Sequence, residues 1–148
     1  MTKTNRMASK QPTKQSVPLS VGKIDSYWSP KIIASLNDAY EVKISKFSGE
    51  FIWHSHPDTD ELFYIIKGKV LIRLNEPGQN SGLEDVYLDE GDIFVVPKGV
   101  MHCPAVVDNG DGTGEAVVML MEPTGVVNTG NRGFVQGRTN EVGDLRLK

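Results

Sequence analysis

Past residue 30, apolar and polar positions alternate along the chain with a period of two, interrupted every few residues by Gly, Pro, Asn or Asp. This is the pattern of short, half-buried strands; helices repeat their apolar positions every three or four residues. Residues 31–36 are Ile-rich and run into Asn37-Asp38, a turn pair. Residues 39–47 follow, with Val42 and Ile44 set against Glu41, Lys43 and Ser45. The same reading predicts strands over 51–56, 61–66, 70–74, 86–88, 93–96, 100–107 and 116–121, separated by turns at 57–60, 67–68, 89–92 and 97–99. Many short strands at regular spacing predict an all-β sandwich or barrel. Residues 75–85 and 108–114 read as polar loops, and residues 122–148, rich in Gly, Asn and Thr, carry no clear period.

Composition sharpens this only slightly. A chain of 148 residues is one domain, and 39% apolar with 24% charged residues sustains a packed core. No apolar run approaches the roughly 18–20 residues of a membrane span, so no membrane partner is expected. Charge is more telling. The net charge is −3, but residues 1–16 hold Lys3, Arg6, Lys10 and Lys14 and no acid. The remainder carries 12 basic against 19 acidic residues. An acidic body argues against a phosphate-backbone partner, so no nucleic-acid binding is expected. The first 16 residues lack the apolar segment of a secretory signal and are expected to form a disordered basic tail. Cys103 is the single cysteine, so no intrachain disulfide forms. That suits a reducing compartment, and a cytoplasmic location is expected.

The candidate chemistry lies in the three histidines. His54 and His56 stand at i and i+2, so on a strand both point to one face, where two neutral imidazoles suit a divalent metal. Glu61 follows across a turn. If 51–56 and 61–66 pair as a hairpin, the carboxylate of Glu61 reaches the same ion, and two His with one carboxylate is a known metal-binding set. His102, after Pro97-Lys98-Gly99, supplies a third imidazole and completes a three-His, one-Glu site. Phosphate-loop, dinucleotide and nucleophile-elbow patterns are absent.

These residues also carry a family resemblance. Residues 49–68, GEFIWHSHPDTDELFYIIKG, resemble the first motif of the cupin superfamily through Gly49, His54, His56, Glu61 and Gly68. The spacer between Gly49 and His54 is four residues, where five is commoner in the family. Residues 91–102, GDIFVVPKGVMH, resemble the second motif through Gly91, Pro97, Gly99 and His102. The family often carries Asn four residues after that histidine, and Val106 stands there instead. The run from Glu122-Pro123 through Gly125 to Val127-Asn128-Thr129-Gly130 resembles small single-domain cupins loosely called mannose-6-phosphate-isomerase-like. The resemblance implies a double-stranded β-helix, a jelly-roll β-barrel holding one divalent transition metal (iron, manganese, nickel, zinc or copper). It also implies His54, His56, Glu61 and His102 as metal ligands, Glu61 as the candidate catalytic group, and a homodimer.

Three segments are expected: the tail at 1–16, the barrel at 17–125, and an extension at 126–148 that packs on the barrel or a partner subunit. Alternation puts Ile52 inward with His54 and His56, leaving Trp53 and Ser55 outward. Phe63 and Ile65 share the face of Glu61, and Val100, Pro104 and Val106 that of His102. A substrate pocket of Ile52, Phe63, Ile65, Val100 and Pro104 is therefore expected. Arg73 and Tyr64 fall on the opposite face, and Arg132 and Arg138 are candidates to cap the pocket. An apolar pocket around one ion suits a small organic substrate. The expected function is a metal-dependent enzyme of dioxygenase type. A metal-dependent isomerase, lyase or decarboxylase on a sugar or organic acid, or a non-catalytic small-molecule-binding cupin, are the alternatives.

Overall fold

The computed structural model describes residues 11–108 and 114–147. Most of the expected basic tail and the centre of the 108–114 loop lie outside the described residues. Among the described residues, nine strands form two sheets. They are β1 (Lys31–Leu36), β2 (Tyr40–Ser48), β3 (Glu61–Lys67), β4 (Val70–Arg73), β5 (Val86–Leu88), β6 (Ile93–Val96), β7 (Cys103–Val106), β8 (Glu115–Pro123) and β9 (Gly143–Asp144). The larger sheet runs β6-β3-β8-β2-β1-β9 and the smaller β5-β4-β7. Every pairing is antiparallel except β1 with β9. The order departs from chain order because strands cross between the two layers, which makes the fold a jelly roll. No helix among the described residues is long and apolar enough to cross a membrane.

Alternation explains the packing. On β3, Glu61, Phe63 and Ile65 are buried while Tyr64 is exposed. On β4, Val70 and Ile72 are fully buried. With Phe47, Val96, Val118 and Leu120 they form one apolar core between the sheets. Each such side chain contributes about 1.5–3 kcal/mol by leaving water.

The larger sheet also buries part of its outer face. Val42, Ile44 and Val117 pack there against Ile24 and Leu145, with Val17 and Val21 half-buried beside them. Val17–Val21 form a five-residue helix, α1, whose first turn is capped by Ser16 accepting from Leu19 N. A helix this short shows no apolar period, so the sequence pattern does not announce it. Covering both faces changes the meaning of β2. Its alternation is as read, but the apolar Val42 and Ile44 face outward under α1, and the polar Lys43 and Ser45 face inward.

One predicted strand is absent. Residues 51–56 pair with the later chain only through isolated bridges, Glu50 with Ala105 and His54 with His102. The hairpin between 51–56 and 61–66 does not form, because β3 pairs with β6 and β8 instead.

Candidate metal centre

His54 and His102 face each other across a two-bond bridge: His54 N donates to His102 O at 3.0 Å and His102 N to His54 O at 2.9 Å. The register slips by one residue between this bridge and that of Glu50 with Ala105. The slip breaks strict alternation, as bulges do. Phe51 and His54, of opposite parity, therefore both line the interior cavity. Glu61 arrives from a different direction, at the start of β3. The four side chains thus converge from three segments, the 54–56 run, the start of β3 and the stretch before β7, not from one hairpin.

His54, His56, Glu61 and His102 are all buried, and one donor atom from each lies within 4.8 Å of the others. Glu61 Oε1 is 3.3 Å from His102 Nε2 and 3.5 Å from His56 Nε2. His54 Nδ1 lies 2.9 Å from the Ile52 carbonyl, and His102 Nδ1 lies 2.9 Å from the Val100 carbonyl. A carbonyl only accepts, so Nδ1 carries the proton in both rings, and each Nε2 keeps a lone pair. His56 Nε2 is buried and makes no hydrogen bond. Burial, and then the neighbouring His102, push the His54 imidazole down to about 4, so it is neutral near pH 7. Burial alone would raise Glu61, but the His102 and His56 rings beside it outweigh burial and hold the carboxyl well below its ordinary range. Lone-pair imidazoles, an orphaned buried nitrogen and one carboxylate fit a divalent transition metal.

Beside this cluster is a buried polar group that the sequence pattern does not single out. Lys43 Nζ donates to Glu122 Oε1 at 2.9 Å and to the Val126 carbonyl at 3.4 Å, and lies 3.8 Å from Glu41. Glu122 follows the β3–β8 register to the position opposite Glu61. Burial, and then Glu61, push its carboxyl up, against the pull of Lys43. Two adjacent charged residues on β2 and β8 inside a barrel are the signal that was available, masked by an alternation that resembles a solvent face.

The interior cavity measures about 30 Å³. Phe63 and Pro104 line it. Ile65 is fully buried in the core behind them, and Ile52 and Val100 are half-buried against that core, outside the cavity wall. The bulge explains the shift, since Phe51 takes the place that alternation allots to Ile52. Ser55 is buried, not outward, because its N–H donates to Asn131 Oδ1 and its carbonyl accepts from Asn131 N. Arg132 and Arg138 reach the same loop, donating to the Trp53 and Glu50 carbonyls. They brace the backbone that carries His54 and His56, and neither lines the cavity. Arg73 pairs with Glu50 at 2.8 Å and lies over the Trp53 ring.

Cys103, next to His102, is fully buried, and burial, then Glu50, push its thiol up to about 12. The nucleophilic thiolate is therefore scarce at neutral pH. Iodoacetamide is expected to leave Cys103 unmodified in the folded protein at pH 8 and to alkylate it fully in guanidinium, as read by intact mass. Equal rates in both states would refute a buried, protonated thiol.

A family model described as Cupin matches residues 20–135. The YdbB protein of Bacillus subtilis is 37% identical over 70 residues, covering 47% of this chain and 56% of YdbB. A 3-hydroxyanthranilate 3,4-dioxygenase of Ruegeria pomeroyi is 34% identical over 71 residues, covering 48% of this chain and 34% of the enzyme. The match thus spans about half of one curated relative and a third of the other. Among solved structures, a cupin-2 domain containing protein from Shewanella frigidimarina superposes with a TM-score of 0.62 at 33% identity. It aligns over 74% of this chain and 93% of that one.

Proposed function

The chain belongs to the cupin family, and from that premise we propose that it is a metal-dependent enzyme acting on a small organic substrate, with oxygen-dependent chemistry as its reaction type. The observation that carries this reading is the convergence of four buried donors, three of them imidazoles, on one point inside the barrel. His54, His56, Glu61 and His102 would hold one divalent transition metal. Such a metal supplies Lewis acidity and, if redox-active, electrons for oxygen chemistry.

The chain's own residues set the conditions for that chemistry. His54 is kept neutral, and the Ile52 and Val100 carbonyls fix the tautomers of His54 and His102. Glu61 is kept ionised by the two imidazoles beside it. The walls formed by Phe47, Phe51, Phe63 and Leu120 exclude bulk water, which strengthens every charge interaction within. The resemblance to a 3-hydroxyanthranilate 3,4-dioxygenase across 48% of this chain supports oxygen chemistry. A sugar phosphate is disfavoured by one observation: the inward cation Lys43 is already taken by Glu122.

Oxygen uptake by the iron-loaded protein tests the reading against a panel of small hydroxy-, keto- and phenolic acids. Substrate-dependent uptake that disappears in Glu61→Ala is expected. An iron-loaded protein that changes its spectrum on adding a panel compound yet consumes no oxygen would overturn the reaction type.

A further inference from the structure

One side chain in the cavity wall has no partner. Ser45 is fully buried, faces the cavity that His54 and Glu61 also line, and its Oγ makes no hydrogen bond among the described residues. Asn128, in the same wall, is fully used. Its Nδ2 donates to the Trp28 and Arg138 carbonyls, and its Oδ1 accepts from Asn140 N. A buried hydroxyl without a partner is costly, so it persists where something else supplies the bond.

The wall around Ser45 is pinned. Trp28 stacks on Phe47 at 4.3 Å and on Phe51 at 4.7 Å between ring centroids. Its indole donates to the Ser48 carbonyl, and its own carbonyl accepts from both Asn128 and Asn140. Trp28 holds a φ of 57°, a left-handed conformation that a bulky residue adopts only when its surroundings impose it. The cavity of about 30 Å³ is far below the roughly 150 Å³ that holds benzene, and takes about two or three non-hydrogen atoms.

We propose that Ser45 is the polar contact for the substrate, and that the substrate is a short aliphatic oxyacid whose oxygen-bearing end enters the cavity, not an aromatic ring. One oxygen would lie toward His54 and Glu61 and a second within reach of Ser45. With Glu61 the single anionic donor, a divalent metal leaves the centre net positive, which favours an acid over a neutral alcohol. This inference rests on the proposed metal site and narrows its substrate class.

Cobalt-loaded protein, followed by its visible spectrum, tests it with two probes. Glycolate carries oxygens on two adjacent carbons, so one can lie toward His54 and Glu61 while the other reaches Ser45; benzoate carries both on one carbon, with the ring where the second oxygen-bearing carbon would be. Glycolate is expected to shift the spectrum saturably, and benzoate to leave it unchanged over the same concentrations. Ser45→Ala is expected to weaken glycolate about three- to tenfold, the loss of one neutral hydrogen bond. It should leave cobalt content unchanged and Tm unchanged or higher, because the hydroxyl has no protein partner to lose. Benzoate binding as tightly as glycolate would overturn the proposal. So would unchanged glycolate affinity in Ser45→Ala, or a variant that fails to fold. If the wild type takes up no cobalt, the metal-site reading itself fails, and this inference falls with it.

Discussion

A His102→Ala variant is expected to bind metal at least about a hundredfold more weakly than the wild type while keeping its barrel. Loss of an outer-shell partner alone costs about 10–100-fold in metal affinity, so loss of a direct ligand sets that as a lower bound. The barrel should survive because the structural role of residue 102 is carried by its backbone. His102 N and O both bond to His54, and neither bond needs the imidazole. Neighbouring Cys103 and Pro104 pair through β7 to β4 irrespective of the side chain. The ring is fully buried and is one of the two imidazoles that hold Glu61 ionised. Some loss of stability follows, about 1–3 kcal/mol, without unfolding. Competition with a chelator reads the affinity, and circular dichroism reads the fold. Unchanged affinity would remove His102 from the ligand set.

The second large effect is expected far along the chain, at Gly130. It has a φ of +52°, and a Cβ built there would stand 2.2 Å from the Ser55 carbonyl oxygen and 3.1 Å from His56 Nδ1. Both the conformation and the contact exclude a side chain. Asn131, the next residue, is the one that bonds Ser55 in both directions. Gly130→Ala must therefore push the 128–132 segment off the histidine loop or move Ser55 and His56 with it. A cost of about 2–3 kcal/mol is expected, a drop in Tm of roughly 5–10 °C, together with weaker metal binding through His56. A Tm within about 2 °C of the wild type would contradict this packing.

How much of this was legible beforehand depends on the physics at each position. Strands β1 to β8 are readable because apolar positions such as Phe63, Ile65, Val70 and Ile72 alternate cleanly with half-buried or exposed neighbours, whereas β9 lies in the stretch that has no period. The four donors were readable because every histidine in the chain lies at a motif position. Their route to one point was not. The expected hairpin was replaced by a bridge between His54 and His102, and the one-residue slip that places Phe51 inward leaves no mark in the residue pattern. Lys43, Ser45 and Glu122 were hidden for a different reason. Polar residues alternating with apolar ones ordinarily face water. Here α1 and Leu145 cover the apolar side, so the polar side is the interior. The bracing by Asn131, Arg132 and Arg138 is tertiary and falls in a segment with no period at all.

The central claim is that His54, His56, Glu61 and His102 hold a metal ion. Elemental analysis of protein purified without a metal-affinity tag tests it most directly, beside a His54→Ala/His56→Ala control. The account predicts close to one equivalent of a transition metal per chain in the wild type, lost in the control. Metal in neither protein, even after reconstitution with iron, manganese, nickel, copper and zinc in turn, would contradict it.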